Sequence, residues 1–122
     1  MGEKKELEQI FEEYIKSYGH IPDWVKLWAE ISPETLIGYN KIRSVALIDG
    51  VLPKKIKELI LVAINAYRRY EYGLRLHTEA AMKAGATKEE VFEAALIGFV
   101  AAGIPCIIEI SKVLRESGSI NR

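Results

Sequence analysis

The stretch Pro53-Lys54-Lys55-Ile56-Lys57-Glu58-Leu59-Ile60-Leu61-Val62-Ala63-Ile64 decides how this chain folds. Proline lacks an amide donor and fixes its own φ, so it suits the opening of a helix, where that donor would find no partner. Charged residues crowd the first turn, and every residue from Leu59 to Ile64 is apolar. The pattern predicts a helix buried on most of its sides.

Helical spacing continues upstream. Between Lys4 and Tyr18, residues Leu7, Ile10, Phe11, Tyr14 and Ile15 recur at intervals of three and four, opposite Glu8, Glu12 and Lys16, and Gly19 suits a C-cap. Pro22 and Asp23 open a shorter helix carrying Trp24, Val25, Leu27, Trp28 and Ile31. Ser32 then reads as an N-cap with Pro33 in the first turn of a third helix, which is expected to end near Asp49-Gly50. Downstream, a helix from about Tyr72 to Ala84 is closed by Gly85, with Arg75, Glu79 and Lys83 as its solvated face. Thr87-Lys88-Glu89-Glu90 is a capping box that starts a sixth helix. That helix is nearly free of polar residues beyond Ala94 until Gly103 and Pro105 interrupt it, and a last amphipathic segment runs from Cys106 to about Glu116. The chain is therefore expected to be all-α, a bundle of about six to seven helices. Two helices that are apolar nearly all round need more cover than short neighbours supply, which predicts a homo-oligomer; the alternative puts both at the centre of a monomeric bundle.

At 122 residues the sequence reads as one domain, residues 1–122, large enough to hold a core without disulfide or metal staples. Seventeen basic side chains balance seventeen acidic ones, leaving no positive field for nucleic acid. The lone Cys106 cannot close an internal disulfide, and Met1-Gly2-Glu3-Lys4-Lys5-Glu6 leads into a charged amphipathic segment and not an export signal, so the expected location is the cytoplasm. The apolar run from Ala94 to Ile108 falls short of the ~20 residues that span a bilayer, so no membrane association is expected. Lys and Glu abound while Gln9 is the single glutamine, a bias of heat-adapted proteins. With two histidines and one cysteine there is no spaced metal-ligand set, and no phosphate-cradling glycine loop, so neither metal nor cofactor is expected.

Two ionisable residues intrude on apolar patterns. His77 lies on the stripe of Leu74, Ala80, Ala81 and Ala84, opposite Glu79, so its ring is expected to point inward. Glu58 precedes the apolar stretch of the fourth helix, and Asn65 falls on the same face seven residues later. The short connection from Tyr70 to Gly73 makes the fourth and fifth helices antiparallel neighbours, which would bring His77 towards Glu58. If they meet, the carboxylate orients the imidazole and raises its basicity for acid/base work. The alternative is a satisfied core histidine and a solvated glutamate that complements the helix dipole. Cys106, among Ile104, Ile107 and Ile108, reads as inert core, with a lone-cysteine peroxidase as the competing possibility; His20 reads as an exposed turn residue.

Leu52-Pro53-Lys54-Lys55-Ile56-Lys57-Glu58-Leu59-Ile60, Tyr70-Glu71-Tyr72-Gly73-Leu74-Arg75-Leu76-His77 and Gly85-Ala86-Thr87-Lys88-Glu89-Glu90-Val91 together resemble the carboxymuconolactone decarboxylase and alkylhydroperoxidase D superfamily, over residues 32–105. The resemblance implies an alkylhydroperoxidase D-like helical bundle that assembles into trimers or hexamers, with the active site near the start of the helix bearing His77. In the redox branch that helix starts with Cys-x-x-Cys, and a glutamate on the preceding helix feeds a proton relay. Glu58 and His77 match the glutamate and histidine, whereas the cysteine positions fall on Tyr70 and Gly73. The thiol–disulfide cycle lacks its two sulfurs here. The decarboxylase branch needs no cysteine, and Leu74-Arg75-Leu76-His77 and Gly103-Ile104-Pro105 resemble its pattern, but it commonly carries a glutamate where Gly73 stands. By the same resemblance Tyr70 and Tyr72 lie at the mouth of a substrate pocket. The expectation is a cysteine-independent acid/base enzyme of decarboxylase or lyase type acting on a small organic molecule through Glu58 and His77. A non-catalytic oligomeric binding or scaffold member of the fold and a peroxidase acting through Cys106 are the alternatives.

Overall fold

A computed structural model describes residues 2–116, and every regular element among them is a helix. They are α1 (Gly2–Tyr18), α2 (Asp23–Ile31), α3 (Pro33–Leu47), α4 (Lys54–Arg68), α5 (Glu71–Lys83), α6 (Lys88–Ala102) and α7 (Ile104–Glu116). They group into two compact units, one up to Ile48 and one from Asp49 onward.

In the first unit, the inner stripe of α1 supplies Ile10 and Tyr14 to a core shared with Val25 of α2 and Leu36 of α3. Arg43 of α3 lies over the Tyr14 ring at 4.7 Å and donates to the Tyr18 hydroxyl at 3.0 Å. Burial pushes the Tyr14 phenol up to about 12 despite that nearby guanidinium. Ser32 occupies the expected N-cap of α3, yet its hydroxyl does not cap the helix; it accepts from the Thr35 hydroxyl at 2.7 Å. The helix ends at Leu47, two residues before Asp49-Gly50.

In the second unit, α4 packs against α5, α6 and α7 around Val62, Ala66, Leu74, Ala81, Val91, Ala95, Cys106, Ile110 and Val113. Pro53 is the residue before the first helical turn, not part of it. Asp49 provides the cap, its carboxylate accepting from the Lys54 amide at 2.6 Å. Arg69 adopts a left-handed conformation (φ +54°), so the chain reverses in a few residues and α5 returns beside α4. The Thr87/Glu90 capping box forms in both directions, at 3.0 and 2.9 Å. Arg75 pairs with Glu71 and Glu116.

α4 and α6 run parallel. Lys55 pairs with Glu90 at 2.9 Å near their starts, and Gly98 meets Ala63 near their ends, each α6 residue 35 positions beyond its partner on α4. A Cβ at Gly98 would lie 3.0 Å from the Ala63 carbonyl oxygen, so glycine is what permits this approach. The expectation that α4 is buried on most sides is corrected: Ile56, Ile60 and Ile64 are 37%, 45% and 44% exposed. Its apolar stretch faces the core on one side and presents a bare face on the other.

Candidate active site

Glu58 sits at the second turn of α4 on the face turned to α5, with no exposure at all. Its Oε1 is 2.8 Å from Nδ1 of His77, and its Oε2 is 3.2 Å from Nζ of Lys54. The antiparallel α4–α5 pairing thus joins the two residues expected to meet, directly and without a bridging water. The solvated-glutamate alternative is overturned by this burial. The His77 side chain remains 18% exposed, so the ring connects a sealed carboxylate to the surface.

Burial alone would push the Glu58 carboxyl up, since a low-dielectric site disfavours the anion. The hydrogen bond and charge of His77, followed by those of Lys54, outweigh it and hold the carboxyl below its ordinary value. The residue is therefore an anion that accepts from Nδ1–H of His77. An accepted Nδ1–H leaves Nε2 of the neutral ring as the nitrogen with a lone pair. The arrangement is an oriented imidazole able to take and return a proton.

Gly73 lies one turn before His77 on α5 and is buried. A Cβ built there would collide with Oδ1 of Asn65 and with the Tyr70 ring. Asn65 is itself buried and donates through Nδ2 to the Leu61 carbonyl at 2.8 Å. The space that a cysteine or glutamate side chain at position 73 would enter is therefore filled from α4. Tyr70 and Tyr72 flank this helix start with ring centroids 6.1 Å apart; both are partly exposed, and the Arg68 guanidinium lies over Tyr70 at 5.2 Å. Lys54 and the Asn65–Gly73 packing were not singled out from the sequence as site features. The Lys54–Glu58 spacing of four was the visible signal for the first; the second spans a chain reversal and left none.

Cys106 lies apart from this chemistry in the core, wholly buried, with its thiol donating to the Ala66 carbonyl at 3.1 Å. His20 is exposed, with Nδ1 3.2 Å from the Tyr18 carbonyl. Among the described residues no group of three or more His, Cys, Asp or Glu side chains is arranged to hold a metal ion, and no helix is long and apolar enough to cross a membrane.

The family model for carboxymuconolactone decarboxylases matches residues 33–116, from the start of α3 through α7. The chain belongs to the carboxymuconolactone decarboxylase family. A crystal structure from Burkholderia xenovorans LB400 that carries the carboxymuconolactone decarboxylase name superposes with a TM-score of 0.80 at 29% identity, covering 98% of this chain and 96% of that one. An apo carboxymuconolactone decarboxylase family protein from Legionella pneumophila shares the fold, with a TM-score of 0.72, 23% identity and coverage of 93% and 96%. An uncharacterized protein from Cupriavidus necator is 28% identical over 92 residues, 75% of this chain and 81% of its own length. The all-α family fold expected from the sequence is thus the fold observed.

Proposed function

We propose that this member of the family is a cysteine-independent acid/base enzyme of decarboxylase or lyase type, acting on a small organic molecule through His77, with Glu58 as the residue that orients and supports its ring. The 2.8 Å bond between a wholly buried carboxylate and a partly exposed imidazole carries the reading. A carboxylate that fixes Nδ1 leaves Nε2 to move a substrate proton, a role typically worth ~10²–10⁴-fold in rate. In a decarboxylation, Nε2 takes the proton of the substrate's carboxylic acid, the electron pair of the breaking carbon–carbon bond stays on the carbon beside a carbonyl as an enolate, carbon dioxide leaves, and the imidazolium returns that proton to the carbon. Tyr70 and Tyr72, by their place at the start of α5, are the phenols available to hydrogen-bond a polar substrate. The filled space at Gly73 and the buried Cys106 thiol both favour chemistry without sulfur.

The test is carbon dioxide release from a panel of small β-keto acids and carboxylated lactones, measured for the whole chain and its variants. His77→Ala and Glu58→Gln should each lower kcat by about 100-fold or more, with Cys106→Ala retaining turnover. Turnover that survives both site substitutions, or that vanishes with Cys106→Ala in a protein of unchanged helicity, overturns the assignment.

A further inference from the structure

Lys54, Lys55 and Lys57 open α4, and the first turn of that helix holds no acidic residue. The positive end of the helix dipole lies there and favours acids over bases. A lysine placed four residues before a glutamate is also the weaker of the two orders for a helical ion pair. Two of the three lysines have other occupations: Lys55 holds Glu90 of α6 at 2.9 Å, and Nζ of Lys57 lies towards Gly50 in the loop before the helix. What Lys54 gains, against the dipole, is Glu58.

The two oxygens of Glu58 have different partners. Oε1 accepts from Nδ1 of His77 at 2.8 Å, and Oε2 accepts from Nζ of Lys54 at 3.2 Å. With both oxygens held, the carboxylate cannot turn away from the ring, and two cationic groups share one buried charge once the ring is protonated. The groups that act on Glu58 are His77 of α5 and Lys54 of its own helix. On the other elements packed against α4, Glu90 of α6 is held by Lys55, while Lys112 and Glu116 of α7 are held by Glu71 and Arg75. By its contacts the Lys54 ammonium lies no more than about 8 Å from Nδ1, where a unit charge alters proton affinity about 3-fold in water-like surroundings and about 30-fold at an effective dielectric of ~20.

We propose that Lys54 is the positioning residue of this site: it fixes the Glu58 carboxylate towards His77 and takes up part of its charge, so that the ring gives up its proton as readily as it accepts one. Facing the whole charge of Glu58 alone, the imidazolium would be held in its charged form. An acid/base group works best when both of its forms are populated near the working pH. Lys54 acts through Glu58 and needs no contact with the reacting atoms. Its consequence for turnover rests on the acid/base reading of His77; its consequence for the ring's own titration does not.

The test is a proton NMR titration of the ring C–H signals in the whole chain. There are two histidines, so exposed His20 serves as an internal reference, and a His20→Gln variant assigns the signals. In Lys54→Met the His77 midpoint should move up by about 0.5 pH unit or more, a roughly 3-fold or larger gain in proton affinity. Lys54→Arg should restore it, and Lys55→Met, which removes a charge from the same turn, should leave it in place. The Lys54 side chain is 42% exposed and the Asp49 cap is made to its backbone amide, so its replacement leaves the helix start intact; Lys54→Gln repeats the measurement if the methionine variant loses helicity. The pH profile of kcat for carbon dioxide release should rise by the same amount in Lys54→Met. A ring midpoint that moves while the rate profile does not supports the role of Lys54 and counts against His77 as the group that moves the proton. A midpoint that stays or falls in both Lys54→Met and Lys54→Gln, that Lys54→Arg fails to restore, or that moves equally in Lys55→Met overturns the proposal.

Discussion

Replacing Glu58 by glutamine keeps the shape of the side chain and removes its charge from a site with no access to water. The wild-type carboxylate holds two charge-assisted bonds, and such bonds contribute ~1.5–3 kcal/mol when buried. Lys54 is 42% exposed, so its share is screened to ~0–1 kcal/mol, and most of the energy lies in the bond to His77. An amide oxygen can still accept from Nδ1–H, but the amide nitrogen then turns a donor towards the Lys54 ammonium. The net loss in Glu58→Gln should be about 2 kcal/mol at neutral pH, which at ~1–2 kcal/mol per molar urea is a midpoint shift of about 1–2 M. The dependence on acidity is the sharper readout. Because the folded-state carboxyl is held below its ordinary 4.5, the unfolded chain takes up the proton first as pH falls. Its contribution is complete above that ordinary value and is lost as pH falls through the lower folded value. Urea unfolding followed by circular dichroism at pH 7, 5, 4 and 3 should therefore show the difference between wild type and Glu58→Gln shrinking once pH falls below that ordinary 4.5. Equal stability at pH 7, or a difference that grows between pH 4 and pH 3, would refute the assignment of a paired buried anion.

Four further outcomes follow from packing and capping. Gly98→Ala should destabilise by ~1–3 kcal/mol, since the new methyl meets the backbone of α4; Gly38→Ala in α3, where a Cβ meets nothing within 4 Å, should stabilise by ~0.5–1 kcal/mol, both read from urea midpoints. Gly73→Ala should cost ~1–3 kcal/mol through collision with the Asn65 side chain, and a double-mutant cycle with Asn65→Ala should return part of that loss; strictly additive effects would mean that the two positions do not touch. Thr87→Ala should cost ~1 kcal/mol by removing one half of the α6 capping box, and no change in thermal midpoint would show that box to be energetically idle.

Helix boundaries were legible where a single residue type has a local reason to be there. Thr87 and Glu90, Gly19, Gly85 and Pro33 all stand where the sequence puts an end or a start. Ser32 also holds the N-cap position, but its hydroxyl accepts from Thr35, three residues on, in place of a backbone amide, a local competition that composition cannot reveal. Glu58 and His77 could be set on inward faces by periodicity, but their meeting depends on how α5 returns along α4, a distance fixed by the reversal at Arg69. Lys54 was easy to read as one more surface charge because an i,i+4 lysine–glutamate pair is ordinary on exposed helices. Asn65 against Gly73 was invisible for another reason: a missing side chain leaves no mark of what occupies its place. The apolar stretch of α4 was read as buried because hydropathy does not tell a face that the chain's own helices cover from one they leave bare.

Glu58 has no surface of its own. Any hydrogen ion that reaches it from bulk solution must arrive by way of the imidazole or the lysine ammonium, and a buffer molecule cannot collide with it. The ring is thus the outer end of a two-member relay, and small acids or bases in the surrounding medium act on its inner end only through His77 and Lys54.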